Sequence, residues 1–250
     1  MFEYFQMIWA TPGLGLICAA SFVSGIVYGF AGFGAALIFM PIALAVMPAP
    51  LVLSSFGLTA FVSLFTVMPR AWPLVEKRGL GVMLLASFLA LPVGVWLLGV
   101  SDPRLLQLSV SGMVLLTLVS LVLGYRLRAR PSLAMIAGIG ALAGFTGGAT
   151  GMNGPPVILF HLSGDLRPER MRANTLVFLS LSSVASVPNL WLQDLFPPEA
   201  LGLGVMLALP YMLGNLLGQR LFDPGRERLY RWIAYGLIAL AALGSLSAAF

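Results

Sequence analysis

Eight stretches of this chain contain no Asp, Glu, Lys or Arg. They run over approximately 11–46, 51–69, 79–101, 105–125, 132–163, 173–193, 200–219 and 232–250. A helix needs about 20 residues to cross the hydrocarbon core of a bilayer, and six of the stretches fit one crossing each. The first and fifth are longer, and each carries a glycine-proline signature near its middle. Gly25, Gly29, Phe30, Gly32 and Pro41 in the first are followed by Gly140, Gly144, Phe145, Gly147 and Pro156, every member 115 positions later. Ala90-Leu91-Pro92 likewise matches Ala208-Leu209-Pro210, and Asp102-Pro103 matches Asp223-Pro224. Shared Phe and Pro in the glycine frame argue against chance. The pattern predicts an all-α, polytopic integral membrane protein with a single membrane domain over 1–250, built from repeats at about 11–126 and 131–250. Each repeat is a Gly/Pro-broken helical hairpin followed by three transmembrane helices.

The cationic residues separate straight crossings from hairpins. If all eight stretches cross once, Lys and Arg divide six against eight between the two faces, against the positive-inside tendency. If the first and fifth turn back on themselves, thirteen of the fourteen fall on one face and only Arg104 on the other. The repeats are then inverted relative to each other, most Lys/Arg loops are cytoplasmic and both termini lie outside. Two arms of about 16 residues reach roughly 24 Å each at 1.5 Å per residue, so the tips end within the membrane. Non-helical backbone at that depth must be satisfied by protein or a wet cavity, which makes each tip a candidate ligand site.

Composition agrees. Hydrophobic residues are 59% of the chain and charged residues 9%, where a soluble domain carries about a quarter charged. The net charge of +5 sits in short loops beside apolar spans, without the basic stripe or stacking platform of a nucleic-acid binder. Partners are therefore membrane lipid and a small solute, with a homodimer possible and no nucleic acid. Cys18 is the only cysteine, which rules out an intrachain disulfide and suits a small packing residue. Residues 1–13 carry Glu3 and no basic n-region of a signal peptide. One histidine and one cysteine cannot build a His/Cys metal site or a standard catalytic triad in the spans, and no Gly-Lys-Ser/Thr phosphate loop is present. The chain reads as neither an enzyme nor a cofactor protein.

The tips carry the candidate chemistry. The first runs Gly29-Phe30-Ala31-Gly32-Phe33-Gly34. The second runs from Gly144 to Pro156 and includes Thr146, Gly147, Gly148, Thr150, Gly151, Asn153, Gly154 and Pro155. Free N–H groups at the start of an outgoing half-helix, with the positive end of its dipole, suit an anion. No charged residue lies inside a span, so a proton relay through carboxylates and a buried Lys or Arg clamp are not expected. A small, weakly or singly charged anion fits such a site better than a cation. Gly32, Phe33 and Gly34 of the first tip, the second-tip residues, and Asn174 and Thr175 at the head of the sixth stretch form the candidate substrate site. At a spacing of 118, Asn174 and Thr175 pair with Phe56 and Gly57, so polarity comes mostly from the second half. His161, the only histidine, is the candidate for proton coupling because its pKa lies near neutrality. Asn189, Asn215 and Gln219 suit capping or pairing of helices. Arg170 and Arg172 suit either topology or the gathering of anions at a cytoplasmic mouth.

Gly25-Ile-Val-Tyr-Gly-Phe-Ala-Gly-Phe-Gly34 leading to Pro41, its repeat leading to Gly154-Pro155-Pro156, and the Arg172-x-Asn174-Thr175 stretch resemble the sulfite exporter TauE/SafE family. The resemblance covers nearly the whole chain. It implies a bacterial-type inner-membrane permease, often an exporter, for sulfite, sulfoacetate and related sulfur-containing anions. It fits the anion reading and adds sulfur, which the residues alone do not show. Members often have a denser glycine cluster after the first signature. Ala35-Ala36-Leu37 at that place implies a smaller contribution from the first tip. The expected function is a secondary transporter of a small sulfonate-type or carboxylate anion, working by alternating access around the two tips. An anion channel and a non-transporting membrane subunit are the alternatives.

Overall fold

The computed structural model describes residues 13–123, 132–163, 167–221 and 232–241. Among these, every regular element is a helix. In chain order they are α1 (Leu14–Ala31), α2 (Ala35–Leu44), α3 (Ala49–Thr59), α4 (Phe61–Thr66), α5 (Met68–Ala71), a single 3-10 turn at Trp72–Leu74, α6 (Lys77–Val100), α7 (Pro103–Leu123), α8 (Leu133–Thr150), α9 (Gly154–Ser163), α10 (Pro168–Leu192) and α11 (Glu199–Leu221), followed by α12 (Trp232–Ala241). Counting α3 and α4 as one bent span, seven are long and apolar enough to cross a membrane. Leu89, Trp96, Leu116, Leu123, Trp191 and Leu240 are each more than half exposed. On a water-soluble protein so much exposed apolar surface would be an association site. Here it is the face turned to lipid, and the chain is a multi-pass membrane protein.

Both long stretches break where glycine permits a reversal. Gly32 (φ 80°, ψ 6°) and Gly151 (φ 73°, ψ 5°) adopt the left-handed conformation that ends α1 and α8. Their N–H groups donate to Tyr28 O and Gly147 O, each at 2.9 Å, as in an αL cap. The first stretch folds back on itself: a methyl placed on Gly34 would lie 3.2 Å from Val27 Cγ1, and one on Gly13 3.7 Å from Val46 Cγ1. The arms are unequal, 18 and 10 residues in both cases, instead of the two even arms expected. At 1.5 Å per residue that is about 27 and 15 Å.

The long arms pack through small residues. Ser21 donates to Leu207 O at 3.1 Å, while Gly25 and Gly29 face the carbonyls of Tyr211 and Asn215. The numbers climb together, so α1 runs parallel to α11. Gly140, Gly144 and Gly148 face the carbonyls of Met83, Ser87 and Leu91, and α8 runs parallel to α6. A side chain at any of these glycines would hold the backbones apart; their absence allows close van der Waals packing in lipid. Each hairpin thus grips a helix from the other half of the chain.

The two grips correspond position for position. Every α8 contact stands 119 residues after its α1 counterpart, and every α6 contact 124 before its α11 counterpart. The frame of 115 read from the glycine signature is one helical turn out of step. Gly32 matches Gly151, and Gly25 and Gly29 match Gly144 and Gly148. Ala90-Leu91-Pro92 and Ala208-Leu209-Pro210, 118 apart, occupy different places in their grips. Asp223-Pro224 lies outside the described residues.

Gly144→Ala should cost about 1–3 kcal/mol, the usual effect of overpacking a tight contact, because its Cβ would collide with the Ser87 backbone. Gly138→Ala, where a methyl meets nothing within 4 Å, should change stability by less than about 0.5 kcal/mol. Thermal unfolding of both variants in detergent checks this.

Candidate functional site

The two tips come together at one cavity of about 30 Å³, room for about two waters. From the first tip it is lined by Gly34, Ala35, Ala36 and Leu37, and from the second by Asn153, Gly154 and Pro155. Tyr28, Phe56, Ser63, Ser180, Ser183 and Tyr211 close the remaining walls. A second cavity of about 10 Å³ lies beyond Asn153, bounded by Met40, Leu53, Leu91, Gly147, Gly151, Ser182 and Ser186. Phe56, Asn153 and Ser183 belong to both. Neither lining contains Asp, Glu, Lys or Arg.

The tips present different donors. No side chain caps Gly34 at the start of α2, and the first intrahelical bond there is Ile38 N–H to Gly34 O at 3.2 Å. The N–H groups of Ala35, Ala36 and Leu37 therefore stand at the positive end of the helix with no intrahelical acceptor. At the start of α9 the prolines at 155 and 156 have no N–H to offer. The second tip compensates with a side chain: Asn153, 5% exposed, donates through Nδ2 to Ser183 Oγ at 3.2 Å. The first tip was expected to give less to the site; its residues 34–37 instead form a continuous part of the cavity wall.

Hydroxyls and rings complete the lining. Tyr28 donates its phenolic hydrogen to Leu176 O at 3.0 Å or shares it with Ser180 Oγ at 3.0 Å. Tyr211 OH and Ser63 Oγ lie 3.4 Å apart. Phe56 stacks on Phe39 with centroids 4.9 Å apart and meets Tyr211 edge-on at 6.5 Å. These contacts fix the Tyr28 and Tyr211 hydroxyls in the cavity wall; with its hydrogen on Leu176 O, Tyr28 can accept from a bound solute but not donate to it.

Several of the sequence candidates lie elsewhere. Thr146 bonds Leu142 O at 2.9 Å and Thr150 bonds Thr146 O at 2.7 Å, both within α8. Gly148 is part of the packing against α6. Phe33 is buried in the apolar core. Gly32 faces the Arg172 side chain. Asn174 Oδ1 accepts from the Glu76 N–H at 2.9 Å, tying α10 to the start of α6. Thr175 donates to Met171 O at 2.9 Å and lies 2.8 Å from His161 Nδ1. A hydroxyl has one hydrogen, so the ring donates through Nδ1. His161 thus fastens α9 to α10 and lines neither cavity. Asn189 bonds Ala185 O and Gln219 bonds Asn215 Oδ1, each one turn back within its own helix.

Two features escaped the sequence reading. Ser180, Ser182, Ser183 and Ser186 sit within seven residues of α10, and that serine cluster in a membrane helix was the signal for the cavity wall. Arg172 was placed outside the spans, as either a topology residue or a mouth residue. It lies near the start of α10, a helix long and apolar enough to cross a membrane, half-buried, with Nη2 donating to Gly29 O at 2.6 Å. The expectation of no Arg against the tips is corrected: α10 begins four residues before Arg172, and its first turn brings the guanidinium to the end of α1. The counterparts of Asn174 and Thr175 in the 119 frame are Ser55 and Phe56, not Phe56 and Gly57.

The model of the sulfite exporter TauE/SafE family matches residues 17–245. The chain belongs to that family. The family is one of membrane transporters for sulfite-type anions, so this protein is read as a transporter in a lipid environment. No match was found among curated proteins or among solved structures. The family match spans both grips and both tips, so the geometry above concerns the part of the chain that carries the relationship.

Thr175→Val should leave the buried His161 N–H without its acceptor and cost about 1–3 kcal/mol. Thr175→Ser should retain most of that stability. Parallel thermal unfolding in detergent distinguishes the two, and equal melting of both variants would contradict the pairing.

Proposed function

We propose that this protein is a secondary transporter, and no enzyme, that exports a small singly charged sulfur oxyanion, organosulfonate or carboxylate by alternating access. The observation that carries the reading is the cavity shared by both hairpin tips, with uncapped α2 amides, the Asn153 side chain and no charged side chain in its wall. Backbone amides, hydroxyls and the helix dipole stabilise one negative charge. A doubly charged solute would leave much of its charge uncompensated in a low-dielectric site. Gly34, Gly147, Gly151, Asn153, Gly154 and Pro155 remain from the sequence candidates as the contact set. Ala35, Ala36, Ser180 and Ser183 join them.

The proposed organisation is two inverted repeats, about 11–126 and 131–250, in one membrane domain. The parallel pairs support it. Glu76–Asn174, Ser87–Ser182 and Pro92–Gln193 contacts align α10 with α6, and hence with α8. Thr59–Gly204 and Ser63–Tyr211 align α11 with the α3–α4 span. Arg70 bonds Gln219 at 3.0 Å, close in sequence to Glu76, so the end of α11 and the start of α10 share one face. Hairpin one, following α11, then enters from the opposite face to hairpin two. The face holding Arg70, Lys77, Arg78, Arg167, Arg170 and Arg220 is taken as cytoplasmic by the positive-inside rule, in a bacterial-type inner membrane. Transport follows from rocking of the two interlocked grips about the fixed cavity.

Asn153→Ala should lower counterflow of sulfite or sulfoacetate in proteoliposomes by about tenfold or more, the scale of a lost hydrogen bond to a charged group. Thr146→Ala should leave it within about twofold, since that hydroxyl serves its own helix. Flux without counterflow or saturation would indicate a channel instead. Equal transport by both variants would remove the site from the second tip.

The proposed coupling role of His161 has its own readout. It is the one side chain in the chain whose ordinary pKa lies near neutrality, and it joins the outgoing arm of the second hairpin to α10. His161→Gln should flatten the dependence of transport on pH while the carrier still turns over. A pH profile that matches the parent protein would end that assignment.

A further inference from the structure

We infer that Arg172 is an anion-operated latch on one mouth of the pathway, and that Leu53 is its uncharged counterpart on the other. The anion part of this inference rests on the transporter reading above; the latch itself does not.

Arg172 makes two contacts with the first tip. Its Nη2 donates to Gly29 O at 2.6 Å. Gly29 lies in the last turn of α1, among the four carbonyls that a helix end leaves without an intrahelical donor. The guanidinium meets that need and the negative end of the α1 dipole together. Its stem also covers the reversal, since a methyl on Gly32 would lie 2.8 Å from Arg172 Cγ. One side chain therefore pins both the end of α1 and the turn into α2, whose first amides line the cavity.

The second tip is pinned without charge. A methyl on Gly151 would lie 2.5 Å from Met40 Cε, 2.8 Å from Met40 Sδ and 3.1 Å from Leu53 Cγ. Gly151 stands 119 residues after Gly32, and Arg172 stands 119 after Leu53. Equivalent positions thus cover equivalent turns, one with a cation and one with an apolar plug. They lie toward opposite ends of α10. Arg172 is in its first turns, whereas Ser54, next to Leu53, donates to Leu195 O just past its C-terminal end. Leu53 itself borders the smaller cavity with Ser182, Ser183 and Ser186, whose positions lie about 15–21 Å along the helix from Arg172.

The chemistry of the two seals differs in what can open them. The guanidinium fork matches the paired oxygens of a carboxylate or similar oxyanion better than a neutral carbonyl such as Gly29 O. An anion arriving at the Arg172 face competes with Gly29 O, draws the side chain away and frees the tip. The Leu53–Met40 plug offers an anion nothing, so it yields only when the hairpin itself moves. Entry from one face is therefore triggered by the solute and entry from the other is not.

The test uses a single reporter cysteine, Ala60→Cys at the cavity wall, in a Cys18→Ala background, labelled by a membrane-impermeant thiol reagent from either face of oriented vesicles. Arg172→Leu should speed labelling from the Arg172 face by roughly tenfold or more, the scale of a lost charge-assisted bond, and leave the other face unchanged. Leu53→Ala should do the reverse. With Arg172 intact, methanesulfonate at the Arg172 face should speed labelling, and the effect should vanish in Arg172→Leu. If Arg172→Leu does not fold, Arg172→Lys decides, because it keeps the charge but loses the fork; labelling should rise severalfold. Unchanged labelling in the folded Arg172 variant, or equal acceleration from both faces, overturns the latch. Acceleration without a methanesulfonate response overturns its operation by an anion. Loss of counterflow evidence with these labelling results intact would sink the transporter reading and spare the latch.

Discussion

Inside a bilayer, every backbone N–H and C=O must find its partner within the protein or at a water-filled cavity. Among the described residues, the two long charge-free stretches satisfy this with helices and are interrupted at Gly32–Gly34 and Gly151–Asn153. There the chain reverses and leaves polar backbone without an intrahelical partner. On one side of the first reversal, the Gly29 carbonyl at the end of α1 receives a guanidinium. On the other, the first amides of α2 face the cavity. The rest of the architecture holds these two reversals where their exposed backbone can be used.

That holding is done by interlocked glycine ridges. The long arm of each hairpin lies against a helix from the other half, close enough that Gly25, Gly29, Gly144 and Gly148 touch partner backbone. Lipid supplies no hydrophobic drive for helices to associate, so close packing must supply the adhesion. A side effect is that neither half can move its own hairpin alone. Displacing α1 carries α11 with it, and displacing α8 carries α6. Two rigid grips meeting at a small polar cavity are the mechanical arrangement that the proposed rocking motion needs.

The sequence made the hairpins legible, because the physics behind them is local: charge-free stretches too long for one crossing, glycines at the reversal and a lopsided distribution of Arg and Lys. It misled on register. Gly25-x-x-x-Gly29 and Gly140-x-x-x-Gly144 look alike because a glycine ridge repeats every four residues, so a one-turn slip still matches glycine with glycine. Only the reversal itself, Gly32 against Gly151, fixes the frame, and one αL glycine among many glycines carries no label in the sequence. The cavity wall was partly legible. Asn153 and the tip glycines stood out as polar or small residues at a break. Ser180 and Ser183 did not, because serine in a membrane helix usually bonds its own backbone, as Thr146 and Thr150 do here. Arg172 was misplaced because a charge near a span boundary was counted as a loop residue.

Near-equivalence of the two halves makes their differences informative. Where one half has Tyr28, the other has Gly147; where one has Gly34, the other has Asn153; where one has Arg172, the other has Leu53, all at the same 119-residue spacing. Identical inverted halves would present the same lining and the same seal to each side of the membrane, leaving direction to gradients alone. Each of these substitutions changes hydrogen-bonding capacity or charge at a matched place, and all three pairs lie at a tip or cavity. Differences of this kind at the tips and cavities, on a scaffold whose packing contacts correspond, are what the proposed carrier needs for its two faces to meet the same anion differently.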